Sequence, residues 1–134
     1  MPPRRSITLT EAELRIMRLL WQRGESLVSD LVAAMAESSP LAYNSVLTTV
    51  RVLESKGYVE HRAEGRAFLY SACVAEHEAR RSEVRHMMDR FFGNSRESLM
   101  LSLIGDGQIS VEELERLKTA IAAAEAAAVG GGER

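Results

Sequence analysis

The chain has 134 residues, 46% of them hydrophobic and 27% charged, with a formal net charge of −2 at pH 7. That length fits one domain with a small appendage, and no stretch approaches the roughly eighteen consecutive apolar residues of a membrane span, so no membrane partner is expected. The acidic balance argues against nucleic-acid binding by bulk charge, but it is uneven: Met1 to Cys73 holds nine Lys and Arg against eight Asp and Glu, and Val74 to Arg134 holds eight against eleven.

The amino end, Met1-Pro2-Pro3-Arg4-Arg5-Ser6, shows no apolar run after its arginines and hence no signal peptide, which predicts a cytoplasmic protein. The arm from Pro2 to Arg5 has the charge to reach phosphate or a minor groove, although a frayed terminus is the simpler expectation. A single cysteine, Cys73, excludes an intramolecular disulfide and fits a reducing compartment.

The first element is a helix from about Glu11 to Arg23. Thr10-Glu11-Ala12-Glu13 is a capping box, with Leu9 and Leu14 as its hydrophobic staple. Its buried stripe is Leu14, Met17, Leu20 and Trp21, the lone tryptophan being a core anchor. Gly24 closes it. Ser26 or Ser29 is placed to cap a second helix to about Ala36, with Leu31, Val32 and Met35 apolar. Glu37 to Pro40 is the turn into a third.

Positions about 100° apart from Tyr43 put Val46, Thr49, Val50 and Leu53 on one stripe of this third helix, and Asn44, Leu47, Thr48 and Arg51 on the other. The second stripe carries no acid between Leu41 and Leu53, whereas an ordinary wet face carries Glu and Lys pairs. In a major groove Arg pairs with guanine, Asn with adenine, and Thr offers a hydroxyl or touches a thymine methyl. A half-buried helix with a polar back is the competing explanation.

Lys56-Gly57 supplies a helix stop. Tyr58 to Arg62 and Ala67 to Ser71 then read as strands of a hairpin, with Ala63-Glu64-Gly65-Arg66 as its loop. Arg62 and Arg66 fall near the tip, where they would meet phosphate beside the groove holding the helix. Helix, helix, turn, helix, hairpin is the order of a winged helix-turn-helix, mainly α with a small β-hairpin.

Beyond Cys73 the pattern is helical. A helix is predicted from Val74 to Phe92, stopped by Gly93-Asn94, then a shorter one capped by Ser95 and running through Ile104. A loop at Gly105-Asp106-Gly107 follows. The last helix starts at a second capping box, Ser110-Val111-Glu112-Glu113, with Ile109 and Leu114 as staple. Met87, Met88, Phe91, Phe92, Leu99, Leu103, Leu114, Leu117 and Ile121 carry more apolar surface than so thin a module hides by itself. A second copy would cover it, making a homodimer with two reading helices about 34–36 Å apart or a multiple of that. Folding back onto the hairpin domain is the alternative. The expected division is a winged-helix DNA-binding domain at 1–73, a helical dimerisation region at 74–129, and a disordered tail at 130–134.

The stretches LTEAELRIMRLLW and LAYNSVLTTVRVLESKGYVEHRAEGRAFLY resemble the penicillinase-repressor (BlaI/MecI-type) family of bacterial transcriptional regulators, with the similarity continuing in outline to about Ile121. The resemblance implies a homodimer that binds a palindromic DNA operator and represses genes for β-lactam resistance or related stress responses. It implies reading-helix contacts at Tyr43, Asn44, Ser45, Thr48 and Arg51. Ala42 stands at the N-cap where some members have Ser. The resemblance also implies release through cleavage by an inactivating protease in a segment similar to Leu99-Met100-Leu101-Ser102-Leu103. Ser102-Leu103 stands here where those relatives have Asn-Phe, a departure at the bond itself.

No cofactor or metal is expected. Copper-responsive relatives carry a C-terminal cysteine cluster that this chain lacks. Cys73 and His77 are spaced i, i+4, but two ligands do not close a zinc site, and Arg81 occupies the position where an HExxH motif needs its second histidine. There is no Gly-rich phosphate loop and no GxSxG elbow, so no enzyme is expected. The competing class is a winged-helix protein-interaction module or antirepressor that does not bind DNA.

Overall fold

The computed structural model describes residues 8–132. In chain order its elements are α1 (Glu11–Arg23), β1 (Ser26–Leu27), α2 (Val28–Met35), α3 (Tyr43–Ser55), β2 (Val59–Glu64), β3 (Ala67–Ala72), α4 (Glu76–Phe91), α5 (Arg96–Gly105) and α6 (Val111–Gly132). Two units result, Met1–Met87 and Met88–Arg134. The arm Pro2 to Arg5 lies outside the described residues.

In the first unit α1 begins on the expected capping box: Glu13 N donates to Thr10 Oγ1 at 3.2 Å and Thr10 N to Glu13 Oε1 at 2.7 Å. Its inward side is Ile16, Met17 and Leu20, while Leu14 and Trp21 are half-buried. Glu13 is buried too, because its carboxylate also accepts from Lys56 Nζ at 2.8 Å. Burial pushes that carboxyl up, but the Lys56 hydrogen bond, the Thr10 amide and the Lys56 charge together hold it below its ordinary value. Lys56 therefore does more than complement the end of α3: it ties that end to the start of α1.

Neither Ser26 nor Ser29 caps α2. Ser26 is drawn into β1, where it pairs with Tyr70, and its hydroxyl donates to Gly24 O. The first turn of α2 is closed instead by Asp30, whose carboxylate accepts from Leu27 N at 3.0 Å. β1 adds to the hairpin edge in an antiparallel sheet of order β1-β3-β2. A two-residue strand gives no periodic signal in sequence.

Helix α3 buries Val46, Val50 and Leu53 as the stripe predicts, with Thr49 half-buried. Ala42, its N-cap, provides no side-chain bond, consistent with the missing serine. At the other end Gly57 has φ +88°, a conformation natural to glycine, and lets Tyr58 N reach back to Leu53 O at 3.0 Å. The hairpin is tighter than its sequence suggests. Glu64 pairs with Ala67, so the loop is only Gly65-Arg66, with Gly65 at φ +62° as a type II′ turn requires.

The core of this unit draws on residues beyond Cys73. Val74 and Ala79 belong to the same buried cluster as Ile16, Leu31 and Val50. Trp21 Nε1 donates to Val74 O at 2.8 Å, and Leu9 N donates to Glu83 Oε1 at 2.8 Å. The start of α4 is thus part of the winged-helix unit, and the division falls at Met87 rather than Cys73. Cys73 precedes α4, so it shares no helical face with His77.

The second unit is helical and thinly packed. Ser95 caps α5 through a bond from Ser98 N at 3.1 Å, and Ser110 caps α6 through one from Glu113 N at 3.1 Å, both as expected. Helix α6 continues through Gly130, Gly131 and Gly132, where a disordered tail was the expectation; Glu133 and Arg134 lie outside the described residues. Among the described residues no helix is long and apolar enough to cross a membrane.

Candidate nucleic-acid interface

Helix α3 turns Tyr43, Asn44, Ser45, Thr48 and Arg51 outward, all exposed, because the opposite positions are spent on the core. Neighbouring acids do not intrude on this face. Glu54, the first acid after it, is engaged by His61 of β2, with Glu54 Oε2 and His61 Nδ1 2.6 Å apart.

Strand register decides which wing residues join this face. His61 pairs with Tyr70 and Ala63 with Phe68, so these share one side of the sheet; Arg62 pairs with Leu69 and points to the other side. The first side meets α3. An open groove of 290 Å³ lies there, lined by Tyr43, Leu47 and Arg51 of α3 and by Arg66, Phe68 and Tyr70 of the hairpin. Tyr70 is buried, which pushes its phenol above the ordinary value; Glu54 adds to this, and the Arg51 guanidinium beside the hydroxyl opposes it.

The two wing arginines separate at this point. Arg66, in the turn, lines the groove and makes no ion pair among the described residues. Arg62 is clamped on the far side: Nε and Nη2 donate to the two carboxylate oxygens of Glu25 at 2.8 Å each, and Nη1 donates to Glu64 at 2.7 Å. These carboxylates, Glu25 first, raise the Arg62 pKa, and Arg62 in turn lowers that of Glu25. Arg62, expected to meet DNA beside Arg66, thus lies on the other side of the sheet from the groove and is paired with acids. Glu25 lies 37 residues away, and no local pattern in the sequence announces the pairing.

The residues expected at a dimer seam divide as well. Phe91 is 69% exposed, Leu103 51%, Ile121 52% and Leu117 44%. Met87 is also exposed, and Phe92, Leu99 and Leu114 are half-buried. Met88 is buried within the single chain, so its own fold has already claimed it. Ser102 and Leu103 sit exposed in the second half of α5. Among the described residues no group of three or more His, Cys, Asp or Glu is placed to hold a metal ion.

This geometry has relatives. The family model of the penicillinase repressor matches residues 9–123. The chain belongs to the penicillinase repressor family. The penicillinase repressor of Bacillus licheniformis is 24% identical over 109 residues, 81% of this chain and 85% of that protein. The methicillin resistance regulatory protein MecI of Staphylococcus aureus strain N315 is 17% identical over 110 residues, 82% and 89% of the two chains. Among solved structures, the DNA-binding domain of the repressor BlaI superposes with a TM-score of 0.50 at 24% identity, covering 55% of this chain and 92% of that one. A complex of hsRosR-S1 superposes with a TM-score of 0.52 at 16% identity, covering 89% and 94%. These superpositions establish the winged-helix fold of this penicillinase-repressor family member. The acid-free face of α3 and the groove beside it lie in that fold.

Proposed function

We propose that the protein is a dimeric transcriptional repressor that reads a palindromic DNA operator with the exposed face of α3. One observation carries the reading. The outward face of α3 holds Asn44, Ser45, Thr48 and Arg51 with no acid among them, and Arg66 of the wing lines the same groove as Arg51. Such a face suits the acceptor-rich floor of a major groove walled by phosphate. Asn44, Thr48 and Arg51 are assigned to base edges, Tyr43 and Ser45 to the flanking backbone, and Arg66 to phosphate. Arg62 is assigned to holding the wing through Glu25.

Dimerisation through α4 to α6 is the second part of the proposal, supported by the exposed Phe91, Leu103, Leu117 and Ile121. The relatives named above regulate penicillinase and methicillin resistance by their names, and the regulated genes here are proposed to be β-lactam resistance or related stress genes. Loss of repression by cleavage at Ser102-Leu103 fits an exposed helix, provided that α5 first opens locally.

The test is selection of bound sequences from fragmented genomic DNA, followed by affinity measurements across a salt series. A palindromic consensus with affinity falling steeply with salt is the expected result. No binding at low salt would sink the DNA role and leave the protein-interaction alternative.

A further inference from the structure

Phe68 is a ring out of place for a single chain. It sits near the tip of the wing, 48% exposed, on the groove side of the sheet, and nothing assigned so far uses it. Its ring is packed against the His61 imidazole, with centroids 4.6 Å apart and planes tilted by 53°. His61 is in turn fixed by Glu54 of α3 and lies 5.4 Å from the Tyr70 ring. A row of rings thus runs from the buried Tyr70 through the exposed His61, which Glu54 of α3 holds, to the exposed phenyl face of Phe68. Around it in the groove are Tyr43, itself 51% exposed, the half-buried Leu47, and the guanidinium groups of Arg51 and Arg66.

Carbon flanked by cations selects among occupants. A protein surface able to cover Phe68 would have to supply anions for both arginines, and a phosphate alone would leave the ring uncovered. Duplex DNA offers the two chemistries side by side: phosphate oxygens, and the carbon surface of deoxyribose and thymine methyl groups.

We propose that Phe68 is an uncharged DNA contact of the wing, laying its ring on deoxyribose or on a thymine methyl while Arg66 holds the adjacent phosphate. The inference rests on the DNA-reading role proposed above. It adds a contact whose strength is set by apolar burial instead of counterion release, so it persists in salt that weakens the arginines.

The experiment compares wild type, Phe68→Ala and Phe68→Leu on the selected operator over a salt series. Burying the exposed half of the ring predicts that Phe68→Ala loses about five- to tenfold in affinity at every salt concentration, with the slope of log affinity against log salt unchanged. Phe68→Leu keeps carbon at the site and retains most of the affinity. Replacing operator thymines by deoxyuridine then separates the partners. A penalty seen with wild type and absent in Phe68→Ala assigns the ring to a methyl group; an equal penalty in both assigns it to sugar. Unchanged affinity of Phe68→Ala, or a loss accompanied by a shallower slope, overturns the contact while leaving the DNA role standing. Wild type that binds no duplex overturns both.

Discussion

The two units treat their apolar residues in opposite ways. In Met1–Met87 the helices α1 to α3, strands β2 and β3 and the start of α4 converge on one cluster in which Ile16, Met17, Leu31, Val46, Val50 and Leu53 have essentially no exposure. Among the described residues of Met88–Arg134 the single buried hydrophobic residue is Met88, whereas Leu101, Leu103, Ile104 and Ile121 are each more than half exposed. Large apolar residues, Leu, Ile, Val, Met and the aromatics together, are nearly as frequent in the second unit as in the first. What differs is the number of layers: a helix buries a stripe only against another layer, and the second unit supplies too few of its own. The first unit closes a core within one copy; the second leaves the apolar surface on which the proposed dimer rests.

That contrast breaks most readily at the seam. If the proposed dimer forms through α6, Leu114→Asp with Leu117→Asp should convert it to monomers with operator affinity lower by about 10²–10⁴-fold, because each reader then binds without the effective concentration of its tether. Sedimentation showing an intact dimer would remove these residues from the interface. Core truncation sharpens the same contrast through stability: Leu53→Ala should cost about 2–5 kcal/mol in denaturant unfolding, and Leu103→Ala far less when measured below the dimerisation concentration. Equal losses would mean that the second unit has a core of its own.

On the DNA side, Arg51→Ala should cost about 1–3 kcal/mol on the operator and relax preference at one base pair. A uniform loss on all sequences would make Arg51 a phosphate contact. pH offers a fourth probe, confined to the first unit. Glu13 has a carboxyl held below its ordinary value of 4.5 in the folded chain, so the stabilisation it brings is present above that value and is lost as pH falls through the lower folded value. Acid titration of Glu13→Gln, which lacks that ionisation, should show a shallower loss of stability over this range, and an unchanged profile would discount the Lys56 pair. The smallest expected effect separates the two wing arginines: Arg66→Ala should reduce the salt slope by about one, and Arg62→Ala should leave it unchanged. A reduced slope for Arg62→Ala would return that residue to the interface.

How much of this was legible in sequence depended on the range of the interaction. The caps at Thr10, Ser95 and Ser110 are local motifs, and all three bonds form as read. The buried stripe of α3 follows from helical periodicity and is equally local. Misplaced features involve partners far along the chain. Ser26 became a strand residue because Tyr70 lies opposite it, and Arg62 is held by Glu25 on the face of the sheet away from the groove, a pairing that no local pattern announces. The boundary at Cys73 moved because Val74 and Ala79 complete a core begun at Ile16. Phe68 was read as a strand residue, and only the register of the hairpin reveals that it shares a groove with Arg51.

The clamp on Arg62 has a consequence for how the protein searches a chromosome. From Met1 to Cys73 cations exceed acids by one, and setting aside Lys56 and Arg62 with their partners Glu13, Glu25 and Glu64 leaves seven cations against five acids, still a slim excess. So small an excess predicts weak sequence-independent attraction to duplex DNA, and with it brief stays on the many wrong sites. Occupancy of the right site then comes from shape and pairing, which only the correct sequence returns.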